Sequence, residues 1–288
     1  MGGRFALSRS HLEAGLGLYD PVSHHSLAHQ AGFGLEVVSR GILGIVLLCL
    51  GFPDQALVQS NAAIAEARRL AHPPSLGSTL SDGTVVLALV GDSAALNEWA
   101  DELLALASDQ GFPYFRALGT IGLGWARIMN GDVTAGISLL RNGSTAYRAS
   151  GAEAYTPHHL VLLARACEIA GQIEESLTLL NDASQIVKRT GVRWLASELS
   201  RHKGRLLQQQ GRAEAAEELY RKALSIAQEQ QAKLWELRAA VSLARLRRDQ
   251  GRHDEALNLL APIYGWFTEG FGMPDLKKAK ALLDELGA

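Results

Sequence analysis

The chain has 288 residues, 28 basic against 30 acidic side chains, a formal net charge of −2 and 47% hydrophobic residues. A charge this close to zero argues against nucleic acid or an anionic membrane as a partner, and the hydrophobic content is typical of a folded chain with a large core. The longest apolar run, residues 42–50, is far shorter than the roughly 20 residues that a membrane-spanning helix needs. Cys49 and Cys167 both lie in apolar runs, so we expect reduced core thiols and a cytoplasmic protein.

The N-terminal 30 residues are predicted to hold only the second half of a helix pair. Residues 3–8 have the composition of a tight turn, and the helical segment that follows runs towards Pro21. Half a pair leaves an apolar face uncovered, so we expect residues 1–30 to comprise the second helix of a truncated repeat and a linker. The alternative is a natural N-terminal cap.

Histidines cluster at two places, and neither cluster has the ligand set of a metal site. His25 and His29 are four residues apart and His24 adjoins them, but a zinc site needs three or four ligands and no cysteine lies nearby. A polar segment between repeats is the favoured interpretation, and we expect no metal and no cofactor. His158 and His159 begin a helix and are expected to be exposed. As neighbours they do not share a helix face, which argues against chelation.

Glycine returns at a fixed interval of 40 residues. The central column comprises Gly51, Gly91, Gly131, Gly171, Gly211 and Gly251, and a second column contains Gly111, Gly151 and Gly191. The apolar residues between glycines have helical spacing, and glycine ends helices because it adopts positive φ without a clash. The interval therefore predicts six helix-pair repeats over residues 31–270. Since one pair cannot cover its own apolar stripe, the pairs should stack, with a final helix in residues 271–288 as a cap.

Two further columns, seven residues before and five after each central glycine, hold small side chains. The first reads Gly44, Thr84, Gly124, Ala164, Gly204 and Ala244; the second reads Ala56, Leu96, Gly136, Ser176, Ala216 and Ala256. Leu96 breaks the pattern, and a one-residue deletion after Gly91 that places Ala95 in register would explain it. This pattern resembles the tetratricopeptide repeat, whose usual unit of about 34 residues is shorter. The resemblance implies an all-α, right-handed superhelical solenoid of antiparallel helix pairs that forms a single domain over residues 1–288.

Three longer stretches carry a second resemblance. LYDPVSHHSLAHQAG, CLGFPDQAL and FTEGFGMPDLKKAKALLDEL together are similar to a bacterial family of large proteins. Members of that family combine a class III nucleotide-cyclase domain, a signalling ATPase and a tetratricopeptide-like C-terminal region. The matched residues lie only in the helical tail, so the resemblance implies a regulatory module and gives this chain neither cyclase nor ATPase activity.

No catalytic motif occurs in the sequence. There is no G-x-x-x-x-G-K-[ST] phosphate loop, no G-x-S-x-G, no H-E-x-x-H and no cysteine pair at metal spacing. Repeat helices present rows of similar side chains rather than a convergent catalytic group. We therefore predict that the chain is not an enzyme.

One column of the first helices changes from apolar to cationic along the chain. In the tetratricopeptide resemblance, the position after the first small residue faces the concave groove, and here it reads Ile45, Val85, Trp125, Arg165, Arg205 and Arg245. Three more arginines are expected on neighbouring inward turns, namely Arg201, Arg238 and Arg248. Because a guanidinium binds carboxylate or phosphate through two parallel hydrogen bonds, this column predicts a ligand site. The alternative is a solvated face on which Glu168, Glu198 and Glu236 neutralise the arginines.

These features indicate a scaffold or regulatory module that binds a protein, an acidic peptide or the upstream domains of its own polypeptide. Two rival functions remain: a sensor for a small anionic effector in the groove, and a purely structural spacer or dimerisation element. No lysine occurs in residues 1–150, and charged residues are sparse there. One interpretation is that residues 1–150 leave apolar surface exposed for an upstream domain or for a second copy of the chain, which would give a homodimer. The other interpretation is that this half simply has a thicker core.

Overall fold

A computed structural model describes residues 2–20 and 32–287, and over these residues the chain contains fourteen helices and no strand. The helices are α1 (Phe5–Gly17), α2 (Leu35–Leu50), α3 (Pro53–Arg69), α4 (Pro73–Val90), α5 (Ser93–Asp109), α6 (Pro113–Met129), α7 (Val133–Ala149), α8 (Thr156–Ile169), α9 (Ile173–Thr190), α10 (Ala196–Gln209), α11 (Ala213–Glu229), α12 (Lys233–Asp249), α13 (His253–Tyr264) and α14 (Pro274–Gly287). The predicted all-α fold is confirmed. None of the helices in the described parts of the chain combines the length and apolarity needed to cross a membrane.

The chain divides into two compact units. The N-terminal unit comprises Ala6–Leu48 and Pro53–His159, and the C-terminal unit comprises Leu160–Ala288 with Met1–Phe5 and Cys49–Phe52. In the N-terminal unit the helices α3 to α7 pack consecutively, and α4 also contacts α6. In the C-terminal unit α9 to α14 pack consecutively, and α12 also contacts α10 and α14. Within each unit, short turns join helices into antiparallel pairs and the first helices of successive pairs lie side by side.

The predicted turns are present at all six central glycines, whose φ values lie between 76° and 94°. The turns between pairs show the same backbone conformation at a period of 40 residues. Gly111, Gly151 and Gly191 have positive φ there, and so do two residues with side chains, Ala71 (φ 50°) and Gln231 (φ 54°). The turn geometry is thus a property of the repeat, and it is retained where the sequence lacks glycine.

The two small-residue columns meet where the helices of a pair cross. A Cβ atom added to Gly136 would lie 2.7 Å from the carbonyl oxygen of Gly124, and one added to Gly204 would lie 2.8 Å from the ring of Tyr220. In the pair formed by α8 and α9, the buried hydroxyl of Ser176 donates to a carbonyl oxygen of the facing helix at 2.7 Å. These approaches explain why small side chains predominate in the two columns.

Leu96 does not mark a deletion, so this sequence-based interpretation is wrong. Helix α5 begins two residues after Gly91, the same offset as in the other second helices, and Leu96 is fully buried at the position that Ala56 occupies in its own pair. Ala95 is only partly buried. The register is kept and the core accommodates the larger side chain.

Helix α14 buries one face against the C-terminal unit. Leu276, Ala279, Leu282 and Leu286 are at most 9% exposed, whereas its lysines are exposed. The assignment of residues 271–288 as a cap, and of the whole chain as one domain, stays a prediction.

Candidate functional site

A pocket of about 120 Å³ opens in the C-terminal unit between the first helices of successive pairs. Six cationic side chains line it: Arg165, Arg201, Arg205, Arg238, Arg245 and Lys278. Its lining also includes the carboxylate of Asp275 and the hydroxyl of Ser242. Five of the arginines predicted from the sequence are therefore brought together in one place.

The repeat itself accounts for this convergence. Arg165, Arg205 and Arg245 are 40 residues apart, and each directly follows a small residue that packs on the second helix of its pair. Neighbouring residues on a helix point about 100° apart, so the side chain after the packed residue turns away from the paired helix. Arg201 lies one turn before Arg205, and Arg238 lies two turns before Arg245, so each of these pairs shares a helix face.

Glu198 is the acidic centre beneath the pocket. Its carboxylate accepts from Nε and Nη2 of Arg201 at 2.6 and 2.9 Å and from Nη1 of Arg238 at 3.3 Å. Burial alone would raise the pKa of Glu198, but the Arg201 guanidinium and the hydrogen bonds hold it well below its usual range. Arg201 and Arg238 are thus fixed by an acid that remains ionised.

His202 completes this network as a neutral acceptor. Burial first, and then the charge of Arg201, holds the pKa of His202 well below its ordinary value. Nη2 of Arg201 lies 2.9 Å from Nε2 of His202. A guanidinium only donates, so Nε2 accepts and the ring proton lies on Nδ1, which has no hydrogen-bond partner.

Glu168 pairs with Arg205, as Glu198 pairs with Arg201 and Arg238. Its two carboxylate oxygens accept from Nη2 of Arg205 and, at 2.8 Å, from the amide of Gln209. Nε of Arg205 is buried and makes no hydrogen bond. Glu236, the third acid of the neutralised-face alternative, pairs with Lys233 at 2.6 Å. Neutralisation by Glu168 and Glu198 therefore accounts for part of the arginine cluster.

The remaining cations of the pocket are held less tightly. Arg245 and Lys278 are exposed, and neither forms an ion pair with any described residue. Arg165 is partly buried, and burial together with the nearby Arg238 and Arg201 lowers its pKa to about 9. The pocket lining therefore has more cationic than acidic side chains.

Two predicted site residues lie away from this pocket. Arg248 does not line it and instead binds Asp249 at 2.8 Å and Glu285 at 2.5 Å. Trp125 belongs to the N-terminal unit and is only 3% exposed, so its indole forms part of that unit's core. A groove surface that is apolar at Trp125 and cationic at the arginines stays a prediction.

The N-terminal unit contains a buried polar cluster that the sequence-based predictions missed. Asp82 is 6% exposed, its pKa is raised by burial to about 7, and it accepts a hydrogen bond from the hydroxyl of Tyr155 at 2.8 Å. The signal was present in the sequence, because Asp82 is the single charged residue in the apolar stretch between Arg69 and Asp92.

The predicted exposure of His158 and His159 is wrong, since the two side chains are 3% and 2% exposed. The His159 ring packs edge-on against Tyr147 with centroids 4.6 Å apart, and burial holds its pKa well below the ordinary value. The expectation failed because their helix is enclosed by its neighbours at this end.

His24, His25 and His29 lie outside the described residues, and within residues 2–20 and 32–287 no three His, Cys, Asp or Glu side chains are grouped to hold a metal.

Comparison with known proteins gives one family match. Residues 195–261 match the profile of the tetratricopeptide repeat. This segment contains Arg201, Arg205, Arg238 and Arg245, so most of the pocket is built on the matched helices.

The chain is also similar to proteins that are longer than itself. An uncharacterized protein of Rhizobium meliloti (strain 1021) is 26% identical over 246 residues, which are 85% of this chain and 24% of that protein. The chain therefore spans about a quarter of the length of this curated relative.

Two solved structures share the fold. A Rap protein complexed with competence and sporulation factor has a TM-score of 0.62 at 12% identity, over 88% of this chain and 73% of that one. A Pyrococcus horikoshii signal transduction ATPase with numerous domains, which has a tetratricopeptide repeat sensor, has a TM-score of 0.51 at 17% identity, over 87% and 38%. The chain has a tetratricopeptide-like helical solenoid fold.

Proposed function

We propose that the chain is a non-catalytic regulatory module that binds an anionic segment of a partner protein in its arginine pocket. The observation that carries this proposal is the convergence of six cationic side chains on one pocket, against a single carboxylate in its lining. The guanidinium group of arginine can donate two parallel hydrogen bonds to a carboxylate or phosphate group. Helical-repeat proteins bind their partners on the surface of the stacked helices.

The parent protein belongs to the same proposal. The chain forms the C-terminal part of a larger bacterial signalling ATPase or nucleotide cyclase, and the partner is either a separate protein or an upstream domain of that polypeptide. Support comes from the much greater length of the Rhizobium meliloti relative and from the tetratricopeptide repeat sensor of the Pyrococcus horikoshii ATPase.

The side chains of the pocket favour binding over catalysis. The hydroxyl of Ser242 donates to the carbonyl oxygen of Arg238 at 2.9 Å, and no histidine lines the pocket. Within the described residues the lining thus offers cations and a committed hydroxyl rather than a nucleophile beside a base.

The test uses the full chain and three fluorescein-labelled peptides of about twelve residues that differ at one central position. That position holds glutamine, glutamate or phosphoserine, and binding is measured by fluorescence anisotropy. At least one anionic peptide should bind more tightly than the glutamine peptide, and the double substitution Arg245→Ala with Lys278→Ala should weaken that binding roughly tenfold or more.

A matched control removes one arginine and one lysine elsewhere. Arg127 and Lys222 are exposed, helical and outside the pocket, so Arg127→Ala with Lys222→Ala changes net charge equally. This control should bind as the wild type does. Equal binding of all three peptides, or equal losses in the two double variants, would contradict the proposal.

A further inference from the structure

The shape and charge of the arginine pocket define its ligand more narrowly. We infer that it recognises the doubly charged phosphate group of a phosphate monoester, in preference to a carboxylate. This inference rests on the proposed function because it concerns the same pocket. It specifies the chemistry of the bound group and not the molecule that carries that group.

Charge balance is the first argument. Six cationic side chains line the pocket, and Asp275 in the lining with Glu168 and Glu198 beneath it forms ion pairs with some of them. The cations outnumber these three acids by three. A carboxylate supplies one negative charge, whereas a phosphate monoester supplies between 1.5 and 2 at about pH 7. The phosphate group comes closer to neutralising the site.

The number of donors is the second argument. The cationic groups come from four helices, α8, α10, α12 and α14, so several guanidinium groups line one small pocket. A carboxylate presents two oxygens in a plane, but a phosphate monoester presents three oxygens in a tetrahedral arrangement.

Size limits how much of the ligand enters. The pocket has a volume of about 120 Å³, whereas pockets that enclose a whole drug-sized molecule occupy about 300–1,000 Å³. This small volume favours a single charged group in the pocket, with the rest of the ligand outside it, as expected for a modified side chain or the end of a small metabolite.

The lowered pKa of Arg165 agrees with binding of a doubly charged anion. Burial and the neighbouring charges of Arg238 and Arg201 lower the pKa of Arg165 to about 9. A bound dianion would offset that repulsion, so ligand binding and the charged state of Arg165 favour each other.

The experiment compares the phosphoserine and glutamate peptides on the full chain, with glycerol phosphate as an unlabelled competitor. The phosphoserine peptide should bind roughly tenfold or more tightly than the glutamate peptide, and Arg245→Ala with Lys278→Ala should remove most of that difference. Because the second phosphate pKa is about 6, phosphoserine binding should weaken between pH 7.5 and 5.5, while glutamate binding, with a pKa near 4.3, should change little.

The outcomes separate this inference from the proposed function. Equal or tighter binding of the glutamate peptide would overturn the phosphate inference and leave the partner-binding function standing. Displacement of the peptide by glycerol phosphate at similar concentration places the recognition in the phosphate group itself, and weak displacement places it in the phosphorylated chain. Glycerol phosphate binding without binding of either anionic peptide would support the chemistry but overturn the protein partner. Absence of binding by every probe would overturn both.

Discussion

Arg238 donates to the carboxylate of Asp275 from both Nε and Nη2, at 3.1 and 2.7 Å, and so joins α12 to α14. The same guanidinium reaches Glu198 on α10 and lies 5.1 Å from the ring centroid of Trp235. The repeat helices α10 and α12 and the C-terminal helix α14 are therefore tied together directly beneath the pocket. Since Asp275 also lines the pocket, one carboxylate both stabilises the unit and repels an incoming anion.

Replacement of this carboxylate separates those two effects. Asp275→Asn should lower the free energy of unfolding by about 1–3 kcal/mol, because Arg238 loses a charged hydrogen-bond partner. The same variant should bind the phosphoserine peptide severalfold more tightly, because one negative charge leaves the lining. Urea denaturation and fluorescence anisotropy measure the two effects.

The control for this variant is Asp284→Asn on the same helix. Asp284 forms an exposed ion pair with Lys280, so its loss should cost less than about 1 kcal/mol and leave anion binding unchanged. Weaker binding by Asp275→Asn would count against the described arrangement.

The close approach at Gly204 gives a packing prediction. Gly204→Ala places a Cβ atom 2.8 Å from the Tyr220 ring and should lower the free energy of unfolding by about 1–3 kcal/mol. Gly15→Ala is the matched control, because Gly15 lies within α1 with open space around the added atom. It should be neutral or stabilising by up to about 1 kcal/mol, since alanine favours a helix. Equal effects in thermal or urea denaturation would contradict the proposed crossing of α10 and α11.

The turn at Gln231 predicts that glycine stabilises the chain more than alanine at this position. Its φ of 54° is left-handed, which costs a residue with a side chain about 1–2 kcal/mol. Gln231→Gly should therefore be more stable than Gln231→Ala by about 1 kcal/mol, even though glycine loses more chain entropy on folding. Urea denaturation of the two variants checks the order, and greater stability of the alanine variant would exclude the left-handed turn.

Asp82 predicts a pH dependence of stability. Burial raises its pKa to about 7 in the folded chain, against 3.8 ordinarily, so the folded state holds a proton that the unfolded state releases between pH 4 and 7. The free energy of unfolding should therefore fall as pH rises through this window, by roughly 4 kcal/mol at most, and level off above it.

The comparison with Asp82→Asn isolates this group. The free energy of unfolding of the variant minus that of the wild type should increase from pH 4 to pH 7. Tyr155→Phe should move the window to higher pH, because the Tyr155 hydroxyl stabilises the ionised carboxylate. A constant difference between Asp82→Asn and wild type across this range would show that Asp82 is ionised in the folded chain.

The sequence predicted the features that depend on periodicity. Glycine spacing located the turns, and the spacing of Arg165, Arg205 and Arg245 placed three guanidinium groups on equivalent helix positions, because a repeat copies its geometry with its register. The pairing of Arg238 with Asp275 was not predictable, since it joins residues from a repeat helix and from α14, which lies outside the periodic pattern.

Burial was the property that periodicity predicted least well. His158 and His159 were judged from their positions in a repeat unit, but their exposure depends on the neighbouring helices that enclose each side chain. Leu96 illustrates the same limit, because a core that can repack accepts leucine where other repeats have alanine, glycine or serine.

We propose that this chain binds an anion in the arginine pocket, and side-chain NMR of the arginine Nε–H groups can locate the bound peptide. The spectra are recorded during titration with the phosphoserine peptide near pH 6.5. The resonances of Arg205 and Arg245 should shift with increasing peptide, while those of Arg9 and Arg127, outside the pocket, should stay in place. Peptide binding that leaves Arg205 and Arg245 unmoved, or that shifts Arg9 and Arg127 equally, would contradict this proposal.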